Sequence, residues 1–538
     1  MNLNNLSNYP YSSTRRVIMG CRGAVATGQP LAAAAGMEML QAGGNAVDAA
    51  VAMAVTLTVV EPTANGIGSD AFALVWDGKL HGLNGSGKSP QNLTKKVFCG
   101  MQSPYGWLPV TVPGAVSAWQ ALWERWGRLP FERLFEPAIR YAEEGYPVSP
   151  VVAEYWKRAE QIYLPLNNTI FTPLKEVFFR NNRAPAAGEI WGSMAHAKTL
   201  REIATSGGES FYKGKLAEKI ANYAAETGGF LRREDLVAHQ ADWVTPINTN
   251  YRDLTVWEMP PNTQGIAALI ALNILENFDI SQYPRESVES YHLQIEAIKL
   301  AFADVKRHVA DADFMQVEVE ELLDKNYGKK RAELITEKAI SLAVPGLPKG
   351  GTVYLAAADG DLMVSFIQSN YMGFGSGVVV PGTGISLQNR GFGFSLEEGH
   401  PNEYSPGKRA YHTIIPGFLT REGVPVGPFG VMGGPMQPQG HLQMVVNMAD
   451  YEMNPQAALD APRWQFIEGN LVLVESGVSE SIIESLQRRG HDVVKDDLRD
   501  GSDVAETGQF GRGQIIVREN GVFMAGSEPR ADGLAMAW

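Results

Sequence analysis

The stretch from Leu347 to Asn370, LPKGGTVYLAAADGDLMVSFIQSN, constrains the fold more than any other part of the chain. Two apolar runs flank Asp359-Gly360-Asp361, a combination that reads as a buried hairpin with its turn at the glycine. The hairpin opens on Gly350-Gly351-Thr352. A tight turn leading into a strand explains this opening in structural terms. The chemical alternative is that Thr352 is a nucleophile. A threonine hydroxyl is weak at its free pKa and needs an adjacent base. A chain cut before Thr352 would supply one as the new α-amine, whose pKa lies near 8. The branched Cβ holds hydroxyl and amine close together, and Gly351 leaves room for attack on its own carbonyl.

The rest of the chain sets the surroundings. "GQPLAAAAGMEMLQAGGNAVDAAVAMAVTLTVVEP" predicts two helices broken at Gly43-Gly44, the second capped by Asn45. "DAFALVWDGKLHGLN" predicts a hairpin. Residues 115–345 read as mostly helical, with a strand at "YRDLTVWEMPP". Later strands at "GVPVGPFGVMGG" and "QIIVRENGVFMAGSEP" alternate with helices at "PQGHLQMVVNMADYEM" and "SESIIESLQRRG". Helices early and strands late, without a repeat, point to α+β layers sharing one core. Only 338–351 has linker-like Pro and Gly content.

Composition excludes several functions. The 538 residues are 45% apolar and 20% charged, which fits a soluble globular protein. A net charge of −13 argues against nucleic acid or an anionic membrane as partner. Two cysteines, Cys21 and Cys99, cannot form a disulfide framework or a CxxC metal pair, and the nine histidines contain no HExxH. We therefore expect no metal and no cofactor. The N-terminus lacks an apolar stretch of signal-peptide length, so the expected location is the cytoplasm.

Gly82–Ser89, "GLNGSGKS", fits the phosphate-loop pattern at every position. Pro90 follows at once, and "QNLTKKVFCG" lacks helical periodicity, so a glycine-rich turn is the better reading. A nucleotide hydrolase remains one alternative; a catalytically dead structural relative is another. "FGVMGGPMQPQG" places Gly433 and Gly434 after an apolar run, where two N–H groups can face a developing oxyanion or simply form a loop.

Nine ordered stretches carry a resemblance: "GGNAVDAAVA", "VVEPTANGIGSDAF", "VTVPGAVSAW", "EPAIRYAEEGYPVS", "YRDLTVWEMPPNTQG", "HLQIEAIKLAFAD", "GKRAYHTIIP", "VMGGP" and "APRW". Together they resemble the γ-glutamyltranspeptidase family of N-terminal nucleophile hydrolases. The resemblance implies an αββα sandwich whose precursor cleaves between Gly351 and Thr352. Residues 1–351 become a mostly helical large subunit, and 352–538 a small subunit that begins with the nucleophile. Gly433 and Gly434 match the oxyanion donors. The implied partners are a small amide substrate and the two subunits of one precursor, an arrangement compatible with a higher homo-oligomer.

The sequence departs from the family where the glutamyl group is read. Ser86, with Lys88 nearby, stands where an arginine grips the α-carboxylate. The paired serines become His412 and Thr413, and residues 390–394 contain no acid for the α-amine. Arg390, His412, Thr413, Ser86 and Ser369 are the candidate substrate-binding residues. The departures resemble a divergent branch that includes oxamate amidohydrolases and cephalosporin acylases. They imply an amide hydrolase or acyltransferase acting on γ-glutamyl or related carboxyacyl amides, with a preference for a carboxylate without an α-amine.

Overall fold

The computed structural model describes residues 9–12, 15–341, 351–496 and 509–538, so most of the linker-like stretch lies outside the described residues. Two antiparallel seven-stranded sheets form the centre. The first runs, in order, Leu534–Ala537, Gly23–Thr27, Gly351–Asp359, Leu362–Tyr371, Asp70–Trp76, Leu80–Asn84 and Asp242–Val244. The second runs Ile18–Gly20, Val522–Ser527, Arg512–Glu519, Val424–Met432, Gly417–Arg421, Leu254–Glu258 and Ile247–Tyr251. Each sheet takes strands from both sides of the 351–352 bond, so the two portions of the chain share their cores.

Strand alternation sorts the apolar side chains into three clusters. Tyr354, Ala356 and Ile367 point from the first sheet toward Phe418, Met432 and Ile516 of the second. Their neighbours Leu355, Ala357 and Phe366 point the other way, onto the helices Pro30–Gln41, Ala46–Val60 and Ala115–Trp126. On the far face of the second sheet, Leu419, Phe429, Val431 and Ile515 pack against Gly265–Leu275, Val288–His308 and Met436–Ala449.

The helix Ala46–Val60 is buried along its whole length, as an all-round apolar helix must be. Its start is fixed as expected: Asn45 accepts from the N–H groups of Val47 and Asp48, and Asp48 accepts from the Asn45 N–H. Three expectations need correction. The short strands at Ile18–Gly20 and Gly23–Thr27 are early in the chain, where helices were expected to dominate. Asp242–Glu258 supplies three strands within the stretch read as mostly helical. Runs of three to five residues are too short to establish a period, and pairing in a sheet decides them. No helix among the described residues is long and apolar enough to cross a membrane.

Candidate active site around Thr352

Thr352 lies at a bulge. Gly351 pairs with Tyr371 and Val353 with Gln368, so the ladder slips by one residue at the threonine. Bulges re-aim a side chain, and Thr352 is buried against the neighbouring strand. Its Oγ1 donates to Ser369 Oγ at 3.2 Å. Ser369 Oγ donates in turn to the Gly351 carbonyl oxygen at 2.6 Å and accepts from the Tyr371 N–H at 2.8 Å. One serine thus bridges the candidate nucleophile and the carbonyl that self-cleavage would attack. Gly351 is required by close approach: a Cβ there would stand 3.1–3.2 Å from Gly373 N, Ala64 Cα and Thr63 O. Tyr371 takes a left-handed φ of 79°, unusual for a bulky residue and of the kind that collects at functional sites.

Beside this bridge is a buried charged group that the sequence reading saw only in part. The Arg390 guanidinium stacks 4.1 Å from the Tyr371 ring centroid, and its Nη1 donates to Thr413 Oγ1 at 2.8 Å. Its Nε and Nη2 have no partner. Asp70 faces Ser369 in the strand register, and His412 Nε2 lies 2.9 Å from Asp70 Oδ2. All three side chains are buried. Burial pushes the Asp70 carboxyl up to about 7, against the fields of Arg390 and Arg409 and the nearby N–H groups of Gly87 and Gly114. Burial, Arg390 and Arg409 hold His412 well below the usual histidine range. The imidazole is therefore neutral, and its Nε2–H donates to the carboxyl. Burial also brings Arg390 down to about 10.

The other candidates divide. Gly433 and Gly434 end the Val424–Met432 strand and precede the Met436–Ala449 helix, with φ of 140° and 58°. Their carbonyls accept from Met436 and Gln437, which turns the chain into that helix. The strand that carries them crosses the nucleophile strand at Gly430, where a Cβ would stand 2.5 Å from the Tyr354 ring. The Ser86 hydroxyl, by contrast, is engaged with Asn84 at 2.6 Å and Asn262 at 3.3 Å. Its neighbour Lys88 is exposed. The Gly82–Ser89 stretch starts no helix: Ser89 N–H donates to the Lys408 carbonyl, and the next helix begins at Lys95. It has no phosphate-cradling geometry.

Elsewhere, His292, Glu296 and His491 could share a metal ion. However, the buried Lys299 Nζ sits 2.8 Å from Glu296 Oε1 and supplies the cation that this carboxylate needs. Cys21 and Cys99 are both free and exposed.

Sequence reasoning missed Asp70. It searched for an acid within 390–394, whereas the fold brings one from the neighbouring strand of the sheet. The only available signal was an aspartate at the head of a strand otherwise apolar, DAFALVW.

The family profile described as Gamma-glutamyltranspeptidase matches residues 32–538. A glutathione hydrolase-like YwrD proenzyme of Bacillus subtilis is 38% identical, over 96% of this chain and 99% of that protein. An oxamate amidohydrolase proenzyme of Klebsiella pneumoniae is 32% identical, over 94% of this chain and 97% of that protein. Among solved structures, a cephalosporin acylase from Bacillus halodurans has a TM-score of 0.93 at 53% identity. That match covers 99% of this chain and 98% of the acylase.

Proposed function

Because the chain belongs to the γ-glutamyltranspeptidase family of N-terminal nucleophile hydrolases, we propose that it cleaves itself before Thr352 and then hydrolyses small carboxyacyl amides through that residue. One observation carries this reading: Ser369 joins Thr352 Oγ1 to the Gly351 carbonyl oxygen. In the first reaction Thr352 Oγ1 attacks the Gly351 carbonyl carbon. Its proton passes toward Ser369 as Ser369 donates to the developing oxyanion, and the C–N bond breaks to give an ester and a free α-amine. Water hydrolyses the ester, leaving chains 1–351 and 352–538. The family places the two sheets as the middle layers of an αββα sandwich, and the three apolar clusters are consistent with that reading.

In turnover the Thr352 α-amine takes the Oγ1 proton, and Oγ1 forms an acyl-enzyme. The amine returns the proton to the leaving group, and the N–H groups of Gly433 and Gly434 hold the oxyanion. Water, or an amine acceptor in a transferase reaction, releases the acyl group. The relatives' names share an amide bond rather than one acyl group. Arg390 favours an acyl group with a carboxylate, since its buried Nε and Nη2 are free for a two-point pairing. Ser86 is too engaged to serve as the carboxylate reader.

The test is direct. Purified protein should run as two fragments whose small chain begins at Thr352, and Thr352→Ala should run as one. The processed enzyme should turn over a γ-glutamyl or glutaryl anilide. Cleavage of the alanine variant at the same bond would refute the assignment.

A further inference from the structure

We propose that Asp70 and His412 form the second half of the acyl pocket and select acyl groups bearing a hydrogen-bond donor (an ammonium or a hydroxyl) beside the carboxylate. The inference rests on the reading above, in which Arg390 takes that carboxylate.

The unused polar atoms carry the argument. Arg390 Nε and Nη2 are donors without acceptors, while Asp70 Oδ1 and His412 Nδ1 are acceptors without donors. All four are buried, and buried polar groups are rarely left unpaired. Arg390 and Asp70 influence each other electrostatically, yet they form no ion pair. A purely structural pair would close that gap. Opposite charges held near each other, each with free valences, fit a ligand that bridges them. A ligand offering only a carboxylate would satisfy Arg390 and set its own negative charge beside Asp70. A ligand with a donor on the adjacent carbon satisfies both sides, and an ammonium does so with charge.

The location agrees. Asp70 is the strand partner of Ser369, and Arg390 lies on Tyr371; these are the residues immediately around the nucleophile. The absence of an acid from 390–394 therefore does not make the pocket indifferent to a donor, and the preference expected from that absence is reversed.

Glutarate, L-glutamate and L-2-hydroxyglutarate differ only at one carbon, so their binding to the processed enzyme by calorimetry tests the proposal. Glutamate should bind at least about tenfold tighter than glutarate, as expected for a charge-assisted bond, with hydroxyglutarate between. Asp70→Asn should bring the three ligands to within about threefold of one another. The proposal is overturned if wild type binds all three alike, or if Asp70→Asn keeps the wild-type spread. The wild-type series decides the matter even if the variant does not fold. The underlying reading fails separately, if Arg390→Lys binds glutarate as wild type does. No binding of any of the three to wild type overturns both.

Discussion

Replacing Ser369 by alanine tests whether the bridge is catalytic. Ser369 Oγ is 2.6 Å from the Gly351 oxygen, on which negative charge develops as Thr352 attacks. Removing one such donor typically slows a reaction about 10²–10³-fold, equivalent to about 2.7–4 kcal/mol of barrier. The same substitution removes the acceptor of the Thr352 Oγ1 proton and leaves the buried Tyr371 N–H unpaired. The unpaired N–H should lower stability by about 1–3 kcal/mol. The stability loss is small beside the kinetic one, so the two effects are separable. The assay is a time course of freshly synthesised precursor on denaturing gels. Dividing 58.6 kDa in proportion to length gives fragments of about 38 and 20 kDa. Wild type should convert, Ser369→Ala should lag by two to three orders of magnitude, and Ser369→Thr, which keeps a hydroxyl, should convert with wild type. A Ser369→Ala rate within about threefold of wild type is too small a loss for an oxyanion donor and would refute the relay.

Four further outcomes are expected. Arg390→Lys keeps the charge but loses the two-point geometry, so kcat/KM for a glutaryl anilide should fall about 30-fold or more; an unchanged value places the carboxylate elsewhere. Gly433→Ala forces a side chain into a backbone held at φ 140° and should lower kcat about 10²-fold with KM less affected; steady-state kinetics on folded variant checks this. Asp70 holds a proton in the folded state up to about pH 7 that the unfolded chain releases near its model value of 3.8. Its contribution to stability therefore falls as pH rises from about 4 to 7, in the fields of His412, Arg390, Arg409 and Tyr212; denaturant midpoints of wild type should show a decline that Asp70→Asn lacks. Arg463 pairs with buried Glu528 at 2.7 Å and donates to the carbonyls of Phe510 and Gly511, so Arg463→Met should destabilise by about 3–5 kcal/mol, read from chemical unfolding.

How much of this was legible in the sequence depends on how far each feature reaches along the chain. Local features were readable. The Asn45 capping box spans four residues, the 351–371 hairpin closes through Gly360 at φ 57°, and both were expected. Thr352 was legible because its chemistry requires only its own amine and the residue before it. The sheet order was not legible, because Gly23–Thr27 finds its partners at 351–359 and 534–537, over three hundred residues away. No local periodicity encodes such pairings.

The same separation explains why motif alignment misjudged the pocket. Alignment asks whether a given position keeps its residue, and at Ser86 and at 390–394 the answer is no. A binding site is defined by charge in space, and a different strand can supply it. Asp70 reaches the neighbourhood of Arg390 because the Asp70–Trp76 strand lies next to Leu362–Tyr371 in register, a fact that belongs to the sheet and to no motif. Conversely, the Arg of "APRW" matches the family but binds two carbonyls and a buried glutamate, so that motif is explained by packing. Kept motifs can thus mark the scaffold, while specificity moves to residues that only the fold assembles. In this chain the nucleophile's requirements are local and preserved, and the acyl pocket's requirements are non-local and rebuilt.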